Sequence, residues 1–245
     1  MIDRIATVGL LVGSTFLLVV GISVIVRRLP RFRPLTGALL VLGFNFGMIG
    51  SAFGLIPQIA PVLGLSPQFN WQGKILALAT TLELIRIMPG LSRREVGLVW
   101  VQRAGSLRPA IAFAAIVCLS AWLTRLVLGR AFHAPDPEAL LFQATLPGLD
   151  EEIVYRGILF LLLLRAFGHP NRSPSVRWSI GLAISIVFGL AHGLSYSDGG
   201  VRFQPLMVLM TSGLGMMFFW LKERTNSLVL PIITHNVLNV GFQFL

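Results

Sequence analysis

The run Asp150-Glu151-Glu152-Ile153-Val154-Tyr155-Arg156-Gly157 sets two adjacent carboxylates and a guanidinium directly ahead of Ile158-Leu159-Phe160-Leu161-Leu162-Leu163-Leu164, which has no polar side chain. On a helix, Glu152 and Arg156 are four apart and share a face, so they can neutralise each other. Glu151 points about 100° away and is left without that partner, free for proton transfer. An ionised carboxylate in hydrocarbon costs roughly 2.5 to well over 10 kcal/mol, so an intramembrane ionisable residue marks a functional site by default. The bland alternative is an ion pair that only fixes helix packing. That explains one buried glutamate better than two side by side.

Two further spacings fall on other apolar runs. In Phe188-x-x-x-His192 the ring lies one turn before the imidazole, on the same face. In His235-x-x-x-Asn239 two neutral hydrogen-bond donors are aligned in the same way. Each alone is compatible with a satisfied core histidine or with hydrogen bonds between membrane helices. Together, a carboxylate pair, an Arg, two His and an Asn on three apolar segments imply one buried polar pocket. Its chemistry would be activation of water by a carboxylate and stabilisation of an oxyanion, which is hydrolysis of an amide or ester.

Rival chemistries are weaker. Two His and two Glu could hold a metal, but no His-Glu-x-x-His is present, so no metal and no other cofactor is expected. Ser195 has no Gly-x-Ser-x-Gly elbow around it. Asp150 and Asp198 could imitate an aspartyl dyad, yet Asp198 sits in Ser197-Asp198-Gly199-Gly200, a turn signal. Cys118, the single cysteine, lies in an apolar run and reads as a small core hydrophobe.

The elements that must position these residues follow from composition. The 245 residues are 55% hydrophobic and 12% charged, with a mean hydropathy of +0.79. Soluble domains carry about 25% charged residues. The expected class is an all-α polytopic membrane protein of about eight transmembrane helices with the site buried in the bundle. The spans are Ile5 to Val26, Leu35 to Ile59, Trp71 to Met88, Pro109 to Leu128, Ala139 to Phe167, Trp178 to Leu194, Pro205 to Leu221 and Ser227 to Leu245. The third is interrupted by Lys74, Glu83 and Arg86, of which the last two can pair. The fifth is expected to break at Pro147-Gly148. The basic segment Ser92 to Arg108 is amphipathic and suits the interface. The net charge of +10 comes from clusters such as Arg27, Arg28, Arg31 and Arg33 between apolar runs. That is the pattern of cytoplasmic loops, not of a nucleic-acid site. Lys74 counts with the few basic residues of the opposite side. The alternation places both termini outside, with the Glu151 and His192 ends of their helices turned the same way.

The E-E-x-x-x-R, F-x-x-x-H and H-x-x-x-N set resembles the CAAX protease and bacteriocin-processing family, also called the Abi or CPBP family, which includes the type II CAAX prenyl endopeptidases. The resemblance covers roughly Ala139 to Leu245. Upstream, Arg94-Glu95-Val96-Gly97-Leu98 is similar to a short element of many bacterial relatives. The resemblance implies an intramembrane glutamate endopeptidase with no required metal. Glu151 would activate water with help from His192. His235 and Asn239 would form the oxyanion hole, and Glu152, Arg156 and Phe188 would support the site. It implies a catalytic core over residues 138–245 and divergent N-terminal helices over residues 1–137, within one integral membrane domain of a bacterial or archaeal cell membrane. The expected partners are the lipid bilayer and a membrane-associated peptide or protein tail, lipidated in some relatives, with no nucleic acid. The alternative is a non-proteolytic scaffold or an immunity or regulatory protein of the same family. A proton-relay transporter would spread its polar residues along a path, whereas these converge.

Overall fold

Long apolar runs leave the backbone one economical way to satisfy its polar groups in hydrocarbon, the helix. A computed structural model describes residues 2–50, 62, 64–66, 68–129, 131–168 and 174–245, and they are overwhelmingly helical. The helices are α1 (Ile2–Val26), α2 (Phe32–Ile49), α3 (Trp71–Ile87), α4 (Arg93–Val96), α5 (Leu107–Val127), α6 (Pro137–Glu152), a π-helical segment (Ile153–Leu159), α7 (Phe160–Ala166), α8 (Pro174–Gly193), α9 (Pro205–Thr225) and α10 (Val229–Phe242). The strands β1 (Leu194–Ser197) and β2 (Gly200–Phe203) form a small antiparallel hairpin between α8 and α9.

The expected spans fall on α1, α2, α3, α5, the α6–α7 rod, α8, α9 and α10. Five of these, α1, α2, α5, α8 and α9, are long and apolar enough to cross a membrane. The end of the second span, with Pro57, Ile59 and Pro61, lies outside the described residues, as do Arg130 and Arg172. Large apolar side chains face outward along the bundle, among them Leu17, Leu119, Leu182 and Leu209, while Glu152 and Arg156 are inside. That inverted distribution is stable only with lipid on the outside.

The rod from α6 to α7 is the centre of the bundle. Residues 152–164 are buried without interruption, as expected for a helix that is apolar nearly all round. Ile153, Ile158 and Leu163 pack in one core with Ala38 and Leu42 of α2 and Ile180 and Ile184 of α8. The expected break at Pro147-Gly148 does not occur, since α6 runs through both residues to Glu152. A proline removes one helical N–H and crowds the preceding turn. Here Asn236 of α10 bridges that turn: Gly148 N–H donates to its Oδ1 at 2.8 Å, and its Nδ2 donates to the Thr145 carbonyl at 3.2 Å. Gly148 also permits the close approach, because a Cβ there would lie 2.7 Å from the Ile232 carbonyl oxygen. The irregularity comes later, as the π-helical segment directly after the two glutamates. Such segments often occur at functional sites.

The segment Ser92 to Arg108 is not one amphipathic helix. It holds the short α4, started by Ser92 Oγ accepting from Glu95 N–H and stopped by Gly97 at φ +87°, and from Leu107 the first residues of α5. Val96 packs where Gly157 leaves room, and the Gly97 carbonyl accepts from Leu228 N–H at 2.8 Å. The arginine-rich ends of the helices gather on one face. Arg31 N–H donates to the Ala166 carbonyl, Arg165 pairs with Glu95, and Arg177 pairs with Glu223. The opposite face joins Arg4 to the Gly50 carbonyl, Tyr196 N–H to Thr7 Oγ1, and His133 N–H to the Phe244 carbonyl. The chain therefore alternates between two faces as the charge pattern requires. Asp198 and Gly199, both at positive φ, make the two-residue turn of the hairpin, the geometry that matches strand twist.

Candidate active site

Glu152 and Arg156 behave as their spacing predicts. Arg156 Nη1 donates to Glu152 Oε1 at 3.0 Å, and both side chains are fully buried. Nη2 donates to the Gly215 carbonyl at 3.0 Å; a Cβ on Gly215 would sit 2.9 Å from that nitrogen. The guanidinium lies 4.3 Å from the Phe188 ring centroid, 5.3 Å from Phe218 and 5.6 Å from Tyr155. Aromatic faces stabilise a desolvated cation in this arrangement.

His235 is built onto this pair. Its Nδ1 is 2.8 Å from Glu152 Oε1, the oxygen that also accepts from Arg156. A carboxylate oxygen already engaged by a guanidinium accepts, so Nδ1 carries the proton. The ring stacks on Phe218 at 4.8 Å and 4°. His192 is set differently. Its Nδ1 is 2.7 Å from the Phe188 carbonyl oxygen, which can only accept, so this Nδ1 is also protonated. Phe188 lies 4.6 Å from the His192 ring and 6.0 Å from that of His235.

Both imidazoles thus turn Nε2 toward Glu151. The distances to its Oε2 are 4.0 Å from His192 and 3.8 Å from His235. Among the described residues, Oε2 is buried and accepts no hydrogen bond. Three groups that can accept or exchange protons converge there at water-bridging separations.

Glu151 is not without a cation, which corrects the expectation from spacing. Lys74 Nζ of α3 lies 2.6 Å from Glu151 Oε1 and 2.9 Å from Asp150 Oδ2. Asn45 of α2 donates to the other Asp150 oxygen at 3.0 Å. Lys74, counted in sequence among the loop charges of one side, is a buried member of the site. Asp150 is no aspartyl nucleophile in waiting, because both its oxygens are engaged. Sequence reasoning missed Lys74, Asn45, Tyr155 and Phe218. The available signal was a lone Lys and a lone Asn within helical spans, each of which needs a partner in a membrane.

Glu151, Glu152, Arg156, Phe188, His192 and His235 therefore come together from the α6–α7 rod, α8 and α10. Asn239 lies one turn after His235 on α10 and is half-buried. Among the described residues its side-chain amide makes no hydrogen bond; only its carbonyl accepts, from Gln243. Glu83 and Arg86 pair as their spacing suggests, but on the exposed side of α3, away from this cluster.

Three carboxylates, Asp150, Glu151 and Glu152, face two cations, Lys74 and Arg156. The cluster is neutral when one imidazole carries both protons. Moving a proton between water held in such a buried cluster and one of its carboxylates leaves the net charge of the whole unchanged. The described residues include no cluster of three or more His, Cys, Asp or Glu placed to hold a metal ion. The Lys74 ammonium beside Glu151 would also oppose a divalent cation there.

Residues 136–241 match the family model described as type II CAAX prenyl endopeptidase Rce1-like. Searches of curated proteins and of solved structures gave no match. The matched stretch contains Glu151, Glu152, Arg156, Phe188, His192, His235 and Asn239, while Lys74 and Asn45 precede it. Residues 136–241, under half of this polytopic helical membrane protein, are thus similar to the Rce1-like type II CAAX prenyl endopeptidases.

Proposed function

We propose that the chain is an intramembrane endopeptidase in which Glu151 activates water and His235 and Asn239 form the oxyanion hole. The observation that carries this reading is the convergence of both imidazole Nε2 atoms on the unbonded Oε2 of Glu151. Water held among the three loses a proton to Glu151 as its oxygen attacks the peptide carbonyl. His192, with Nδ1 fixed as donor by the Phe188 carbonyl, offers an Nε2 lone pair that orients this water. The oxyanion then needs donors. His235 would give one from Nε2 with its ring doubly protonated, while Nδ1 stays bonded to Glu152. The Asn239 amide, one turn away, is the second. As the C–N bond breaks, Glu151 returns the proton to the leaving amine, which restores the carboxylate. Glu152, Arg156 and Phe188 keep His235 in place. The catalytic unit is residues 138–245, with the helices of residues 1–137 wrapped against it.

The substrate class that fits is a membrane-associated peptide or protein tail, lipidated or not. The test is cleavage by the purified protein in proteoliposomes, with prenylated and unprenylated forms of one C-terminal peptide and product masses read out. Cleavage at one bond, undiminished after exhaustive chelation, is expected. Loss on chelation with rescue by zinc would overturn the glutamate mechanism. Inactivity on every peptide would favour a non-proteolytic scaffold.

A further inference from the structure

We propose that Lys74 is a positioning residue for Glu151. Its ammonium holds Glu151 Oε1 and thereby aims Oε2 at the two imidazoles. This inference rests on the reading of Glu151 as the general base.

The geometry is specific. Lys74 reaches Glu151 Oε1 at 2.6 Å and Asp150 Oδ2 at 2.9 Å from three residues inside α3. Asp150 is itself fixed by Asn45 Nδ2 at 3.0 Å. The chain Asn45–Asp150–Lys74–Glu151 thus adds buried polar contacts to the apolar packing of α2 and α3 on the rod. A carboxylate with one free oxygen can rotate about its terminal torsion, which is a broad well. Engaging Oε1 removes that freedom and leaves only Oε2 for water. The neighbouring groups do not supply this restraint. Both His contact Oε2 alone, at 3.8–4.0 Å, and Arg156 is committed to Glu152 and Gly215. Tyr155, on the same rod, packs its ring on Phe188.

A merely structural Lys74 would balance the Asp150 charge and do nothing more. The two roles separate in a double variant. Lys74→Met strands two adjacent buried carboxylates and lowers both thermal stability and kcat. Adding Asp150→Asn removes the surplus charge with little change of shape. If Lys74 positions Glu151, the double variant recovers the wild-type melting midpoint while kcat stays about 100-fold down and KM is unchanged, similar to losing one preorganised contact to the reacting centre. Recovery of kcat to within threefold of wild type would overturn the proposal. Where these variants fold poorly, Lys74→Ala supplies a second measurement. Ethylammonium should restore its kcat at least tenfold, and tetramethylammonium, which has no N–H, should not. Equal effects of the two amines would also overturn it. Wild-type activity in Glu151→Gln would sink the base assignment itself, an outcome distinct from either Lys74 result.

Discussion

Glu151 and Glu152 are chemically identical and adjacent, and their surroundings give them different tasks. Glu152 spends Oε1 on Arg156 and His235, so it acts through them. Glu151 has one oxygen anchored and one turned to the imidazoles. The same logic divides the histidines, since His192 leans on a neutral carbonyl and His235 on a carboxylate. On the proposed mechanism, in which His235 is an oxyanion donor, His235→Ala should lower kcat about 10²–10³-fold with KM little changed. Steady-state kinetics in detergent check this, and a selective rise in KM would contradict it. Arg156→Met should leave Glu152 buried and unpaired, at a cost of about 3–5 kcal/mol. Unchanged thermal stability of that variant would refute the pairing argument. At this scale sequence spacing was a good guide wherever partners are one helical turn apart, as with Glu152 and Arg156. It was blind to Lys74, whose carboxylates lie 76 and 77 residues away in the chain. No local period encodes a tertiary ion pair.

The site depends on how the α6–α7 rod meets its neighbours. Pro147-Gly148 reads as a break because a proline normally ends or kinks a helix. Asn236 reverses that outcome by bonding both Gly148 N–H and the Thr145 carbonyl. The sequence signal was present, one residue after His235, but Asn236 lies off the His235–Asn239 face and so escaped the motif. Asn236→Leu should orphan the Gly148 donor and destabilise the protein by about 1–3 kcal/mol. Gly148→Val should force α10 away from α6 and lower activity more than stability, because α10 carries His235. Denaturation midpoints and kcat measured side by side check both. Equal, small effects at the two positions would show that this contact does not set the site. The π-helical segment was not legible, since no residue type marks such a turn.

Across the whole molecule, hydropathy and charge made the spans and their alternation readable, because hydrocarbon tolerates few backbone solutions. The hairpin after α8 was legible only as its Asp198-Gly199 turn; its strands are too short to show a period. His192 ends α8 beside this hairpin, on the face away from the arginine clusters. In a background where Cys118 is replaced by Ala, a membrane-impermeant maleimide should label Asp198→Cys in intact cells, and Arg94→Cys only after lysis. The reverse pattern would invert the orientation assigned from the charges. All of these elements converge on a single oxygen, Glu151 Oε2. The most direct test is the single-turnover rate of Glu151→Gln against wild type in the same proteoliposomes, with substrate affinity measured in parallel. A folded variant that binds substrate normally and cleaves at least 10²–10⁴-fold more slowly is expected from the loss of a general base. Cleavage at the wild-type rate would contradict the account.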